Sequence, residues 1–292
     1  MFASANTAII HRFFVNQFRE LWLGSPQASV AAILNSPLAE QLGEVDAVVI
    51  NGEGTIHHDG GRHLLMILAA AQELKIPTFL VNSVLQGLDT GFDVLQRLDD
   101  LTVRDQRTAD YLTELKIPHR LVMDSILHAR FAATPDRDFS GKVVITDHHS
   151  SRDADVGEWI RSLRSELGES AVLYPFYHKD RFHDWSHAVA NLSTAKLVIT
   201  ARHHGVYVAG LAGIPFVALG SNTWKIEGTL AMFNNRIPIC SSERQLREAV
   251  RLAVSNPGLY HEFREFLLSQ CPLTTLDRFS QQFQPNRANT TL

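Results

Sequence analysis

The chain has 292 residues, of which 45% are hydrophobic and 20% charged, a globular composition that excludes disorder over most of its length. Lys and Arg number 27 against 31 Asp and Glu, so the net charge is −4, and a general electrostatic attraction to nucleic acid or anionic membrane is excluded. Any bound anion must therefore be held by local groups. The longest purely apolar run, residues 64–71, is far short of the roughly 18 residues that a membrane span needs. No charged leader precedes an apolar signal core, and Cys240 and Cys271 stand too far apart for a CxxC motif, which together fit a reducing cytoplasm.

In chain order, residues 7–22 read as a helix. A doubly wound domain normally opens with a strand, so either the first strand is absent or the start is truncated. Apolar, strand-like runs then fall at 46–50, 78–81, 101–103 and 120–123, with helices at 64–74 and 108–115. Both helices run into the same break, Lys75-Ile76-Pro77 and Lys116-Ile117-Pro118, which marks two helix-to-strand crossovers. Periodicity is lost over 131–141, where Pro, Asp, Ser and Gly suggest a linker. A second set follows, with strands at 142–146, 171–174, 196–200, 215–218 and 238–240. Its helices are at 153–167, 185–192, 204–211, 223–233 and 243–254. This alternation predicts an α/β protein of two doubly wound, Rossmann-like domains, 1–135 and 136–280, with a cleft between them and a polar tail over 281–292.

Fourteen histidines stand against five tyrosines, and six of them form pairs: His57-His58, His148-His149 and His203-His204. Each pair follows a strand-like run, the position where α/β sheets place ligands. The first constellation is Asn51-Gly52-Glu53-Gly54-Thr55 at the end of a buried strand. Its glycines permit a sharp turn and a close approach of backbone amides to a ligand; a tight strand-to-helix turn is the alternative, since the third glycine of a dinucleotide fingerprint is missing. The second is Arg104, at the end of the run 101–103, with Thr108 placed to cap the next helix. A guanidinium there suits a carboxylate or phosphate, unless it pairs with Asp105 or Asp124, the latter a structural acceptor or N-cap.

The third is Thr200-Ala201-Arg202-His203-His204-Gly205, followed by a helix, a Gly213-Ile214-Pro215 break, a strand, and Ser221-Asn222-Thr223-Trp224-Lys225. A strand here delivers an arginine and two imidazoles to a helix amino terminus, whose dipole favours an anion, and the next crossover brings Lys225 to the same edge. His57-His58-Asp59 offers metal-ligand side chains, but no HExxH or HxH frame accompanies it and neighbouring histidines rarely ligate one ion, so no metal is expected. His57, His58, His148 and His149 read instead as acceptor contacts or loop residues. Tyr174, Tyr177 and His178 are candidates to line the cleft.

NGEGT after a strand, VRD before a helix, and TARHHGVYVAGLAGIP followed by SNTWK together resemble the polysaccharide pyruvyl transferase family. The family pattern Thr-x-Arg-Leu-His and a later Asn-containing loop ending in Lys is matched by Thr200, Arg202, His204, Asn222 and Lys225; His203 replaces the usual leucine. The resemblance implies a GT-B-like pair of Rossmann-like domains, with phosphoenolpyruvate as donor and a hydroxyl pair of a sugar in a surface or exopolysaccharide as acceptor. It implies neither metal nor nucleotide nor any other cofactor. In that frame His204 is the general acid/base. Arg104, Arg202 and Lys225 share the donor's phosphate and carboxylate, Asn51 and the Gly52 to Gly54 amides face the donor, and Glu53, His57, His203, Tyr177 and Asn222 are acceptor or cleft residues. The competing expectations are a GT-B-type glycosyltransferase using a nucleotide sugar and a non-catalytic glycan-binding relative. The acceptor sugar and the oligomeric state are not specified by sequence.

Overall fold

The computed structural model describes residues 25–54, 56–58, 60–148, 156–176, 184–270 and 276–282. The expected helix at 7–22 lies outside them, as do Thr55, Asp59, His149, Tyr177 and His178. The described residues fall into two units, one made of those within 25–104, 108–122 and 276–282, the other of those within 105–107 and 123–270.

Among the described residues the first helices of the first unit are α1 (Pro26–Leu34) and α2 (Pro37–Gly43), each started by a Ser-Pro pair. Ser25 Oγ accepts from Ala28 N–H and Ser36 Oγ from Leu38 N–H, while the prolines supply the helical φ where a free N–H is not required. The strands are β1 (Val48–Asn51), β3 (Thr78–Ser83), β5 (Asp100–Val103) and β6 (Arg120–Leu121), all parallel in the order β1-β3-β5-β6. Every residue of β3 and β5 is buried, as strands covered on both faces must be. Beside them, β2 (Ile56–His57) pairs with β4 (Leu85–Gln86) in a two-stranded ladder.

Helix α3 (Arg62–Glu73) turns Leu65, Met66 and Leu68 into a core with Leu80, Leu101 and Val103. The short α4 (Phe92–Gln96) precedes β5, and α5 (Gln106–Glu114) follows it, beginning two residues ahead of its expected start, so that Thr108 is a buried interior residue rather than the cap. The Lys-Ile-Pro breaks share one geometry. Lys75 and Lys116 adopt left-handed φ of 60° and 55°, and Ile76 and Ile117 donate back to the carbonyls of Ala71 and Leu112 at 3.0 and 2.9 Å. This is a Schellman closure, after which proline forbids another helical turn.

In the second unit β7 (Val143–Ile145), β8 (Ala171–Leu173), β9 (Leu197–Thr200), β10 (Phe216–Leu219) and β11 (Ile239–Cys240) are parallel in the order β8-β7-β9-β10-β11. Helices α6 (Val156–Leu167), α7 (Trp185–Leu192), α8 (His203–Ala212), α9 (Lys225–Ala231), α10 (Glu243–Ser255) and α11 (Pro257–Gln270) accompany this sheet. The break after α8 repeats the closure with Gly213 at φ 70° and Ile214 N–H donating to Ala209 O. Gly210 of α8 faces α11 so closely that a Cβ would sit 2.7 Å from the Phe263 ring. Met123, Ile126 and Leu127 already belong to this second core, ahead of the polar stretch 131–141 where a linker was expected. Residues of α12 (Asp277–Gln282) belong with the first unit, where Phe279 packs edge-on against Phe79. No helix among the described residues is long and apolar enough to cross a membrane.

Candidate active site at the switch point of the second sheet

The chain leaves β7 for β8 on one side and then crosses to β9, β10 and β11 on the other. Between β7 and β9 the winding therefore reverses, and the crevice outside the carboxyl ends of two such strands is where open α/β sheets bind ligands. The two strand ends are tied together: Thr146 Oγ1 and Thr200 Oγ1 lie 2.8 Å apart. Thr200 Oγ1 also accepts from Arg202 N–H at 3.0 Å, fixing the turn into α8. Gly205 is required there, because a Cβ would lie 2.1 Å from that same oxygen.

Arg202 holds the N-cap position of α8 without capping it through its side chain; its guanidinium pairs through Nη2 with Asp147 Oδ2 at the end of β7. Asp147 Oδ1 accepts in turn from Phe176 N–H at 2.6 Å. His203 and His204 form the first turn of α8, and both face Asp124. Asp124 Oδ2 is 3.7 Å from His203 Nδ1 and 3.6 Å from His204 Nε2. Asp124 and His203 are buried at 1% and 3% side-chain exposure, whereas His204 remains 31% exposed. The other carboxylate oxygen, Asp124 Oδ1, accepts from Ile126 N–H at 2.9 Å, so Asp124 is also the N-cap of the short 3-10 turn Ser125–His128.

His203 is oriented from behind. Thr229 donates its hydroxyl hydrogen to Lys225 O at 2.8 Å, and its oxygen lies 3.0 Å from His203 Nε2, which must then be the donor. The Tyr207 ring meets that of His203, and the Trp185 ring that of His204, with centroids 5.1 and 5.2 Å apart. Lys225 Nζ donates to Asn222 Oδ1 at 3.3 Å, so the two residues of the SNTWK loop that match the family pattern are in contact. Glu227, in the first turn of α9, has its carboxyl pushed above the usual range by burial, against the pull of its own N–H and the Arg107 and Lys225 cations.

A family model described as polysaccharide pyruvyl transferase matches residues 5–223, well over half of the chain. The protein belongs to the polysaccharide pyruvyl transferase family. This matched span contains the turn at Asn51, Arg104, the whole TARHH segment and Asn222, and stops short of Lys225. No curated protein sequence matches this pyruvyl transferase family member. Among solved structures it is similar to the glycotransferase of kitacinnamycin (TM-score 0.54, 13% identity, 88% of this chain and 79% of that one). It is also similar to spinosyn rhamnosyltransferase SpnG complexed with thymidine diphosphate (0.51, 13%, 89% and 80%). A mutant of S. aureus TarM in complex with fondaparinux, alpha-GlcNAc-glycerol and UDP gives 0.52 at 12% identity, over 88% of this chain and 59% of that one. Such identities speak for the fold alone, and the fold is the expected one: α/β, with Rossmann-like parallel sheets of the GT-B class.

The structure of this pyruvyl transferase family member brings Arg202, His203 and His204 together at the switch point of the second unit. Asp124 and Asp147 join them there. Asp124 was foreseen only as a structural acceptor or cap, and Asp147 not at all; the available signal was an acid immediately after each of two strands. In the first unit Asn51 Oδ1 accepts from Glu53 N–H and from Asn82 Nδ2, both at 3.3 Å. Gly52 differs from expectation. Its N–H donates to Val81 O at 2.9 Å, and a Cβ would lie 2.3 Å from Ser83 Oγ, so the glycine serves sheet pairing and close packing rather than presenting its amide to a ligand. The turn leads through Gly54 into β2, which carries His57, and not directly into a helix. Arg104 is 2% exposed, with its N–H on Ser83 O. Tyr174 is a core residue whose hydroxyl accepts from Asn191, which removes it from the cleft candidates.

Proposed function

We propose that the protein transfers a pyruvyl group from phosphoenolpyruvate to two hydroxyls of a saccharide in a surface or exopolysaccharide, forming a pyruvate ketal in the cytoplasm. The observation that carries this reading is His204, partly exposed at the switch point and backed by the buried carboxylate of Asp124. The chemistry needs a proton delivered to the methylene carbon of the donor and removed from two hydroxyls. One hydroxyl oxygen bonds to the central carbon as the double bond takes the proton. The carbon–oxygen bond to phosphate then breaks, and the second hydroxyl closes the ketal. Of the two hydroxyl protons released, one balances that added to carbon and the other leaves with phosphate.

His204 is assigned the proton transfers, since imidazole is the side chain best suited to them near neutral pH and this one is partly exposed. Arg202 and Lys225 are assigned the donor's anionic groups, with Asn222 holding Lys225. Arg202 shares its charge with Asp147, so Lys225 carries more of that duty. Arg104, Asn51 and Gly54 keep a donor-side assignment, and Glu53, His57, His203 and Tyr177 an acceptor-side one, on the family resemblance. No cofactor enters this reaction.

The test is phosphate release from phosphoenolpyruvate in the presence of glycan acceptors, with the ketal methyl group read by NMR. His204→Ala should lower transfer by about 10²- to 10⁴-fold, the usual worth of a general acid, and Arg104→Ala should weaken donor binding. Transfer at the parent rate in both variants would overturn the assignment. Binding of a nucleoside diphosphate without binding of phosphoenolpyruvate would favour the nucleotide-sugar glycosyltransferase, and silence with every donor the non-catalytic relative.

A further inference from the structure

We propose that Asp124, His203 and His204 form a binding site for one divalent transition-metal ion, with Zn²⁺ the ion whose preferences it meets best. Asp124 Oδ2, His203 Nδ1 and His204 Nε2 all lie within 4.8 Å of one another. The two carboxylate–imidazole separations, 3.7 and 3.6 Å, are longer than a charge-assisted hydrogen bond. They approach the edge of about 3.4 Å that a tetrahedron has when its bonds are about 2.1 Å long, and the two imidazole nitrogens, within 4.8 Å of each other, can close on the same ion by side-chain rotation. A carboxylate with two imidazoles is the donor set that zinc accepts in sites that keep one position open.

Two outer contacts set the ligands. Thr229 takes the proton of His203 Nε2, which leaves Nδ1 as the lone pair turned toward Asp124. Asp124 Oδ1 is held by Ile126 N–H, which turns Oδ2 toward the imidazoles. A histidine ligand that donates its far nitrogen and a carboxylate ligand that is itself hydrogen-bonded are the outer-shell pattern of metal sites. Neighbouring histidines can share the ion because they use different nitrogens. His203 approaches through Nδ1, close to the backbone, and His204 reaches in through Nε2 from its own side of the helix turn. With Asp124 and His203 buried and His204 31% exposed, a fourth position opens on the His204 side, where water or an anionic oxygen fits.

Metal binding itself does not depend on the pyruvyl-transfer reading. One consequence does: an ion on His204 Nε2 occupies the nitrogen that faces Asp124, so the loaded form cannot use it for proton transfer, and Zn²⁺ is expected to inhibit.

The experiment is calorimetric titration of the chelator-stripped full chain with ZnCl₂ in the absence of any substrate, with Co²⁺ absorption as a second readout. One ion per chain is expected, with a tetrahedral Co²⁺ spectrum. His204→Ala and Asp124→Asn should each weaken binding by at least about 10-fold, whereas His187→Ala, at an exposed histidine on α7, should leave it unchanged. His204 is partly exposed, so a thermal scan of His204→Ala matching the parent confirms that folding is intact. Equal zinc affinity in the parent and His204→Ala, or an octahedral Co²⁺ spectrum unaltered by both substitutions, would overturn the proposal. Since no donor or acceptor is present, a failure of the transferase reading leaves the titration result standing.

Discussion

The Thr146 and Thr200 hydroxyls meet at 2.8 Å between two neighbouring strands of the second sheet, joining the ends of β7 and β9 at the point where the winding reverses. Thr200 also supports the turn into the histidine-bearing helix, and Gly205 leaves room for it. Gly205→Ala would ordinarily help a helix, but here its methyl meets a buried oxygen whose partners are fixed. The collision should win, with a loss of about 1–3 kcal/mol. The urea midpoint reads it. A midpoint equal to or above that of the parent would show that the turn gives way freely.

Asp100, 2% exposed, receives a two-pronged bond from Arg120, at 3.0 Å through Nε and 2.5 Å through Nη2. Asp100→Ala removes the paired carboxylate of Arg120 and leaves it only the weaker attraction of Asp277; breaking a buried pair typically costs about 3–5 kcal/mol. The loss should fall at the lower end, since Arg120 is 25% exposed and can reach water. Asp100→Leu combined with Arg120→Met should recover much of it. Chemical denaturation of the single and double variants decides; a double variant no better than the single would mean that the pair contributes net attraction.

Burial raises the Glu227 carboxyl in the folded protein. The folded state then holds its proton more tightly than the unfolded chain, so stability falls as pH rises through the interval between the ordinary value and the raised one. That penalty persists at neutral pH. Glu227→Gln should therefore be more stable than the parent at pH 7, with the advantage vanishing below about pH 4, where the unfolded glutamate is also protonated. Unfolding curves at the two pH values test it. A glutamine variant weaker at pH 7 would show that the Arg107 and Lys225 cations outweigh desolvation.

Asp184 caps α7 by accepting from Ser186 N–H and His187 N–H at 2.9 and 3.1 Å, and its second oxygen is 2.8 Å from His187 Nδ1. This side-chain bond, foremost among the causes, raises the His187 imidazole above its ordinary 6.5 and lowers Asp184 below its ordinary 3.8. The histidine's contribution is complete below its unfolded value and is lost as pH climbs through the raised one. That of the aspartate is present above its unfolded value and is lost as pH drops through the lowered one. The pair is thus fully formed from about pH 4 to about pH 6.5. An NMR titration should place His187 above the ordinary histidine value, and Asp184→Asn should bring it back down. No movement on substitution would remove the bond as the cause.

Much of the layered fold was legible because buried parallel strands read as continuous apolar runs, as in the Leu197–Thr200 strand, and because Lys-Ile-Pro and Gly-Ile-Pro impose one local helix ending three times. Helices α1 and α2 were missed although Ser25-Pro26 and Ser36-Pro37 announce them: their hydrophobic pattern is weak, and only the cap carries the signal. The β2–β4 ladder, two residues on each side, is too short to leave any periodicity. Helix α11 was also missed, and its reason for being there is tertiary, since Phe263 and Leu267 close over Gly210.

By itself the sequence determined the principal strands of the two sheets and the helices with a marked apolar face, where crossovers stop, and that His203 and His204 stand at a helix start directly after a strand. These depend on neighbours within a turn or two, where propensity, capping and proline sterics act. Only the tertiary structure decided the order β8-β7-β9-β10-β11, and with it the switch point. It alone brought Asp124 opposite both imidazoles, committed the Gly52 amide to the sheet, and set Thr229 to orient His203. Strand order and side-chain convergence arise from packing between segments remote in sequence, and no local pattern encodes which nitrogen of a histidine will face a carboxylate.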